Sequence, residues 1–164
     1  MARVNKRCDV NDVVGIVELG DMYFFGYCQL NIDAQEANRL YLRAGELGSA
    51  EGYFYLGNSY ESGHGVEADE ERAVYYWERA AIRGNVGARY NLGVVEEEAG
   101  NYRLAIRHWM ISAGAGCDDS LESIRESYTR EEATKEEYEQ ALRTHYEAKL
   151  EITSVARDSA ADCD

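Results

Sequence analysis

Gly63-His64-Gly65-Val66-Glu67-Ala68 has the G-x-G-x-x-A spacing with which a strand-to-helix turn cradles a pyrophosphate. That chemistry needs a strand before the first glycine and a parallel sheet around it. A helical pattern, Tyr53, Leu56-Gly57 and Tyr60, precedes Gly63 instead, so the segment is read as a turn between helices, with His64 an exposed loop residue lacking a partner in sequence. Cys117 could supply a nucleophilic thiolate, but Asp118 and Asp119 follow it, and neighbouring anions oppose a further negative charge. His108 stands beside Trp109 as a packing or surface residue, and His145 has Glu147 and Glu151 nearby without a second ligand to complete a metal set. Cysteines 8, 28, 117 and 163 show no CxxC spacing and suggest reduced thiols, neither a zinc site nor a disulfide framework. G-x-S-x-G, H-E-x-x-H and phosphate-loop patterns are absent. The expectation is a protein that is not an enzyme, with no catalytic residue, no metal and no cofactor.

Charge narrows what such a chain could bind. A formal net charge of −14 over 164 residues opposes nucleic acid, which needs a basic face to release counterions, and favours a basic partner. The same charge opposes anionic membrane surfaces, and no apolar run approaches the roughly 20 residues that span a bilayer. No signal peptide is read at the amino terminus, so a cytoplasmic or nuclear location is expected, without membrane insertion. Glu96-Glu97-Glu98 and Glu131-Glu132 are read as solvated faces.

The elements that would position a binding surface follow from a repeat of about 36 residues. Leu19-Gly20, Leu56-Gly57 and Leu92-Gly93 superpose, as do Tyr41, Trp77 and Trp109, followed by Ala44, Ala80-Ala81 and Ala113 and then by Gly48, Gly84 and Gly116. Proline is absent, and glycine sits at regular places, the pattern of helices broken by turns. Each unit reads as two antiparallel helices, A and B. Ser49 caps helix A of the second unit, Gly63 and Gly65 end it, and Asp69 opens helix B, whose buried stripe is Ala73, Tyr76-Trp77 and Ala80-Ala81. In the first unit Val13 to Phe25 supply helix A, and Asp33 to Glu36 form a capping box. The third unit, with Ala105, Trp109 and Ala113 on helix B, has a shorter turn, Glu98-Ala99-Gly100-Asn101, without the four-residue insertion of the Gly63–Asp69 loop. A degenerate fourth begins at Asp119, where Ile124 and Arg125 stand in for leucine and glycine. A second capping box, Thr134 to Glu137, opens a terminal helix running to about Val155, and Tyr138, Leu142, Tyr146 and Leu150 are its sealing row.

Mid-helix glycine costs about 1 kcal/mol against alanine, so Gly57 and Gly93 imply close helix packing, with helix-B alanines as the facing surface and Tyr53, Tyr60 and Trp77 filling wider spaces between units. The reading is an all-α, right-handed α-solenoid of three to four helix pairs with a C-terminal capping helix. Its divisions are a flexible 1–9, repeats over 10–131 (10–48, 49–84, 85–116 and a degenerate 117–131), the cap over 132–156, and a disordered tail over 157–164.

The second unit, through Ala50, Leu56-Gly57, Tyr60, Gly63, Gly65-Val66, Asp69, Ala73, Trp77, Ala80-Ala81 and Gly84, resembles the Sel1-like repeat family, a branch of the tetratricopeptide-like solenoids. The resemblance covers about residues 11 to 130 and implies an adaptor or assembly scaffold, as in quality control and signalling. Asn11-Asp12 onward, with Thr134 to Tyr138 and Ala141-Leu142-Arg143, also looks like a subgroup whose members often carry a RING-type zinc module ahead of the repeats. Only Cys8 precedes the first unit, so ligase activity does not carry over. Secreted, disulfide-bearing members have paired cysteines in each repeat, which this chain lacks.

In such arrays the A helices line a concave face. The positions not spent on the core are Val17, Asp21 and Phe24 in the first unit, Phe54, Asn58 and Glu61 in the second, and Tyr90, Val94 and Glu97 in the third. Glu122 and Glu126 extend the row. The groove is expected to be aromatic with acidic margins, and Asn58 able to hold a peptide backbone, unless Phe24, Phe54 and Tyr90 are simply buried between units. A protein or peptide segment, preferably basic, is the expected partner. The alternative is a substrate-receptor or regulatory subunit of a ubiquitin-ligase or quality-control complex acting with a RING protein in trans.

Overall fold

The computed structural model of the chain describes residues 12–27 and 31–161. Among them the fold is all-α, with no strand. Eight helices follow one another: α1 (Val13–Phe25), α2 (Ala34–Glu46), α3 (Ala50–Ser62), α4 (Glu70–Ile82), α5 (Val86–Glu98), α6 (Tyr102–Ala113), α7 (Asp118–Thr129) and α8 (Lys135–Ala161). Their starts are set by side chains that accept otherwise unpaired amide N–H groups. Asp12, Ser49 and Asp69 accept from Val14, Gly52 and Arg72, and Asn85 accepts from Ala88 at 2.7 Å. Gly26 and Gly63, at φ 71° and 74°, close α1 and α3 in the left-handed conformation.

Three expectations about helix ends are corrected. At Asp33 only half a capping box forms: its side chain accepts from the Glu36 amide at 3.0 Å, but Glu36 turns to Arg39, whose guanidinium offers two donors, and the Asp33 N–H goes to the Tyr23 carbonyl. Helix α7 starts at Asp118, one residue early, with Cys117 at the cap position. Helix α8 runs to Ala161, so 157–161 belong to the helix and not to a disordered tail. At Thr134 the reciprocal box is complete, with Thr134 N–H to Glu137 Oε2 at 2.9 Å and Glu137 N–H to Thr134 Oγ1 at 3.2 Å. The expected flexible 1–9, the last three residues and the thiols of Cys8, Cys28 and Cys163 lie outside the described residues.

The chain divides into two compact units, Met1–Ala88 and Arg89–Asp164, with the division inside α5. In the first, Ile16, Val17, Ala37, Leu40, Tyr41, Ala44 and Leu56 form one core cluster. In the second, Ala105, Trp109, Ala113, Ile124 and Ala141 do. One packing rule recurs in both. A Cβ built on Gly20 would lie 2.6 Å from the Tyr41 ring, and one on Gly57 would lie 2.5 Å from Trp77 Cδ1. On Gly93 it would overlap the indole of Trp109. The glycine of each A helix is therefore the seat of the large aromatic from helix B of its own hairpin. That corrects the expectation that alanines face these glycines and that Trp77 fills space between units. Aromatics of this size reach full burial only where the facing helix presents no side chain.

The sealing row of α8 is also corrected. Leu142, Tyr146 and Leu150 are 40%, 66% and 54% exposed, whereas Ala141 is 1% exposed. Tyr138 stacks on Tyr128 at 5.3 Å, His145 and Lys149 reach Asp118, and Ala148 and Ile152 lie beside Gly116. The inward positions run 138, 141, 145 and 148, and Ile152, though mostly exposed, continues the row toward Gly116. Steps alternating three and four hold one face of a helix, while successive steps of four rotate by about 40° each and leave it.

Candidate functional site

In the first unit, α1, α2 and α3 enclose a cavity of about 190 Å³. Asp21, Phe24 and Phe25 line it from α1, Tyr41 from α2, and Tyr55, Asn58, Ser59 and Ser62 from α3, with His64 closing one side. Phe24 meets Phe25 edge-on at 5.0 Å and the His64 ring edge-on at 5.7 Å, and Tyr41 lies 5.2 Å from Tyr55.

The polar groups are ordered by hydrogen bonds that repeat from hairpin to hairpin. Asp21 follows Gly20 and accepts from the Tyr41 hydroxyl at 2.7 Å; Asn58 follows Gly57 and its Oδ1 accepts from Trp77 Nε1 at 2.9 Å. Val94 follows Gly93 and has no acceptor, so the Trp109 indole turns to the Tyr90 carbonyl at 3.3 Å. The residue after the helix-A glycine thus satisfies the polar tip of the aromatic seated on that glycine. Burial pushes the Asp21 carboxyl above the usual carboxylate range against the lowering effect of the Tyr41 hydrogen bond, and nearby Glu18 raises it further. Burial, then the bond to Asp21, likewise holds the Tyr41 phenol far above its ordinary value. No ion pair to Asp21 is found among the described residues.

The wall at His64 exists because of Gly65. At φ 72°, with the position a Cβ would take only 2.5 Å from the Ala34 backbone, this residue must be glycine, and the contact pins the loop after α3 against the start of α2. The His64 carbonyl then accepts from Asn38 Nδ2 at 2.7 Å, and Nδ1 of its ring pairs with Ser62 Oγ at 2.7 Å. His64 is exposed, as expected, but not without a partner. The insertion that distinguishes this turn from Glu98-Ala99-Gly100-Asn101 is what brings it there.

The sequence profile of the Sel1 repeat family matches residues 14–49 and 50–85, the two hairpins that build this cavity. The chain carries two Sel1 repeats. A Sel1 repeat protein from Oxalobacter formigenes superposes with a TM-score of 0.77 at 25% identity over 90% of this chain. A protective antigen present in uropathogenic Escherichia coli strains, displaying an SLR fold, gives 0.79 at 25% identity over 92%. This chain spans 62% and 33% of the length of those two proteins. MamA, at 22% identity and a TM-score of 0.52, shares the fold alone. No curated protein matches the sequence. The neighbours are repeat solenoids, proteins whose fold commonly serves protein–protein interaction and is generally non-catalytic.

The residues expected on the binding face of the Sel1 repeats meet different fates. Asp21, Phe24 and Asn58 come together at the cavity. Val17 is corrected to core: it is 5% exposed among Ile16, Leu40 and Tyr41. Phe54 turns toward Gly87, where a Cβ would meet its ring at 2.9 Å. Asn58 has its carbonyl oxygen committed to Trp77, which removes the acceptor expected to hold a peptide backbone. Glu61 is exposed. Tyr90 and Val94 pack on the second unit's core, Glu97 pairs with Arg130, and exposed Glu122 pairs with Arg125. Glu126 is exposed at a shallow hollow shared with Arg125, Thr129 and Arg130. Phe25, Tyr41, Tyr55, Ser62 and His64 were not expected at a site. The aromatic spacing around Gly20 and Gly57 was the one signal in the sequence that could have marked Tyr41.

Among the described residues no group of three or more histidines, cysteines or carboxylates could hold a metal ion, and no helix is long and apolar enough to cross a membrane.

Proposed function

We propose that this protein is a non-enzymatic adaptor that holds a segment of another protein against the first two Sel1 repeats, with a preference for basic segments. The observation that carries the reading is the cavity of the first unit, in which a partly buried Asp21 sits among aromatic rings. Sel1-repeat proteins bind other proteins, and a net charge of −14 draws cationic segments in preference to anionic ones. Glu61 places exposed negative charge on helix α3.

Selection from a random peptide library tests it. Enriched peptides are expected to carry net positive charge, to bind less tightly as salt rises, and to lose affinity for the Glu61→Lys variant. Enrichment without charge bias, or affinity indifferent to salt, would sink the basic-partner reading.

A further inference from the structure

We propose that the cavity between α1, α2 and α3 is a receptor for an ammonium group, the lysine side chain of a partner segment. This rests on the adaptor reading and names the group that the first unit recognises.

Three observations converge on it. The cavity walls are ring surfaces, Phe24, Phe25, Tyr41 and Tyr55, and the charged group among them is Asp21. A ring face attracts a cation within about 6 Å of its centroid, more strongly once water is excluded. The protein uses that attraction elsewhere on itself. Arg72 lies 5.4 Å from the Tyr60 ring, and Arg79 lies 5.1 Å from Tyr53 and 5.2 Å from Tyr75. Among the described residues none of the four cavity rings has such a cation, and no ion pair compensates Asp21. A partly buried carboxylate whose hydrogen-bond donor is a neutral phenol has no opposite charge beside it to offset its own when ionised. The missing complement is a cation supplied from outside.

The acceptor inventory selects ammonium over guanidinium. Ser59 Oγ donates to the Tyr55 carbonyl, Ser62 Oγ to the Asn58 carbonyl, and Asn58 Oδ1 is taken by Trp77. The hydroxyl oxygens keep neutral lone pairs, and the Asp21 carboxylate, with one oxygen already accepting from Tyr41, is the anionic acceptor among the lining residues. A guanidinium pairs best through two parallel bonds to both oxygens of a carboxylate, one of which Tyr41 already engages, while a compact ammonium donates to the other oxygen and turns its remaining donors to neutral oxygens and ring faces in a cavity of about 190 Å³.

The test titrates the full chain with n-butylammonium, n-butylguanidinium and n-butanol, following backbone amide resonances by NMR. Butylammonium is expected to shift the signals of Asp21, Phe24, Tyr55 and His64 saturably, with butylguanidinium several-fold weaker and butanol without effect. Asp21→Asn should weaken butylammonium at least tenfold. Phe25→Ala, which removes an exposed ring, should weaken it several-fold without loss of thermal midpoint, and keeps the test decisive should Asp21→Asn fail to fold. Butanol binding as well as butylammonium, shifts confined to other residues, or undiminished binding to either variant would overturn the proposal, and guanidinium binding equal to or tighter than ammonium would overturn the lysine assignment. Salt-sensitive binding of basic peptides alongside indifference to butylammonium would refute the cavity alone, whereas butylammonium binding without any basic-peptide preference would refute the adaptor reading alone.

Discussion

Gly57 and Trp77 act as a lock and seat. With Trp77 Cδ1 at 2.5 Å from where a side chain would begin and the Ala73 carbonyl at 3.2 Å, Gly57→Leu has no room to relax without unseating the indole. It is expected to lower stability by about 1–3 kcal/mol through overpacking, read as a lower midpoint in urea or thermal unfolding. Gly100 supplies the contrast. Nothing lies within 4 Å of its absent Cβ, and only its φ of 79° restrains it, so Gly100→Asn should cost less than about 1 kcal/mol in the same measurement. The importance of Gly57 and Gly93 was legible in the sequence, because glycine in mid-helix needs a compensating contact. Which atoms make that contact was not: the spacing marks a close approach but does not say whether alanine methyls or an indole edge fill it. Asn58 shows the same limit, since its type suggested a ligand for backbone and its place beside Trp77 gave that oxygen another use.

At the scale of the element, α8 is held at its start by Thr134 and Glu137 and by the ion pair of Glu137 with Arg103 at 2.7 Å. The Arg103 hydrogen bond, opposed by partial burial and helped by the Thr134 amide, holds the Glu137 carboxyl below its ordinary value of 4.5. A carboxyl depressed in the folded state contributes stability that is present above its unfolded value and is lost as pH falls through the folded one. Urea midpoints should therefore fall on acidification below about pH 4.5, and Arg103→Ala should flatten that fall; equal slopes in the two proteins would contradict the assignment. Along the same helix, Leu142→Gln and Tyr146→Gln should change stability by no more than about 0.5 kcal/mol, because these side chains already face solvent, while Ala141→Leu should destabilise by about 1–3 kcal/mol in the packed cluster around Trp109. The existence of this helix and its capping box could be read from residue types. Its inward face could not be taken from the most apolar row, since a regular spacing of four drifts off any one face.

For the molecule as a whole, the proposed basic partner would make charge the determinant of how fast it arrives. With 31 acidic against 17 basic residues, association of a basic peptide should slow markedly from low to physiological salt while dissociation changes little, as stopped-flow measurements would show. A salt-independent association rate would place recognition outside the acidic surface. The residues by themselves determined the helical class, the period of the hairpins and the glycine-aromatic positions, because local spacing and capping chemistry act over a few residues and repeat. Tertiary structure alone decided that Val17 belongs to the core, that Phe54 turns to Gly87, and that Phe24, Phe25, Tyr41, Tyr55 and His64 gather around Asp21. Those outcomes depend on how far one hairpin leans on the next, which here is governed by Gly65 against Ala34 and the Asn38 hydrogen bond to His64, contacts between residues about 30 positions apart that no local pattern encodes.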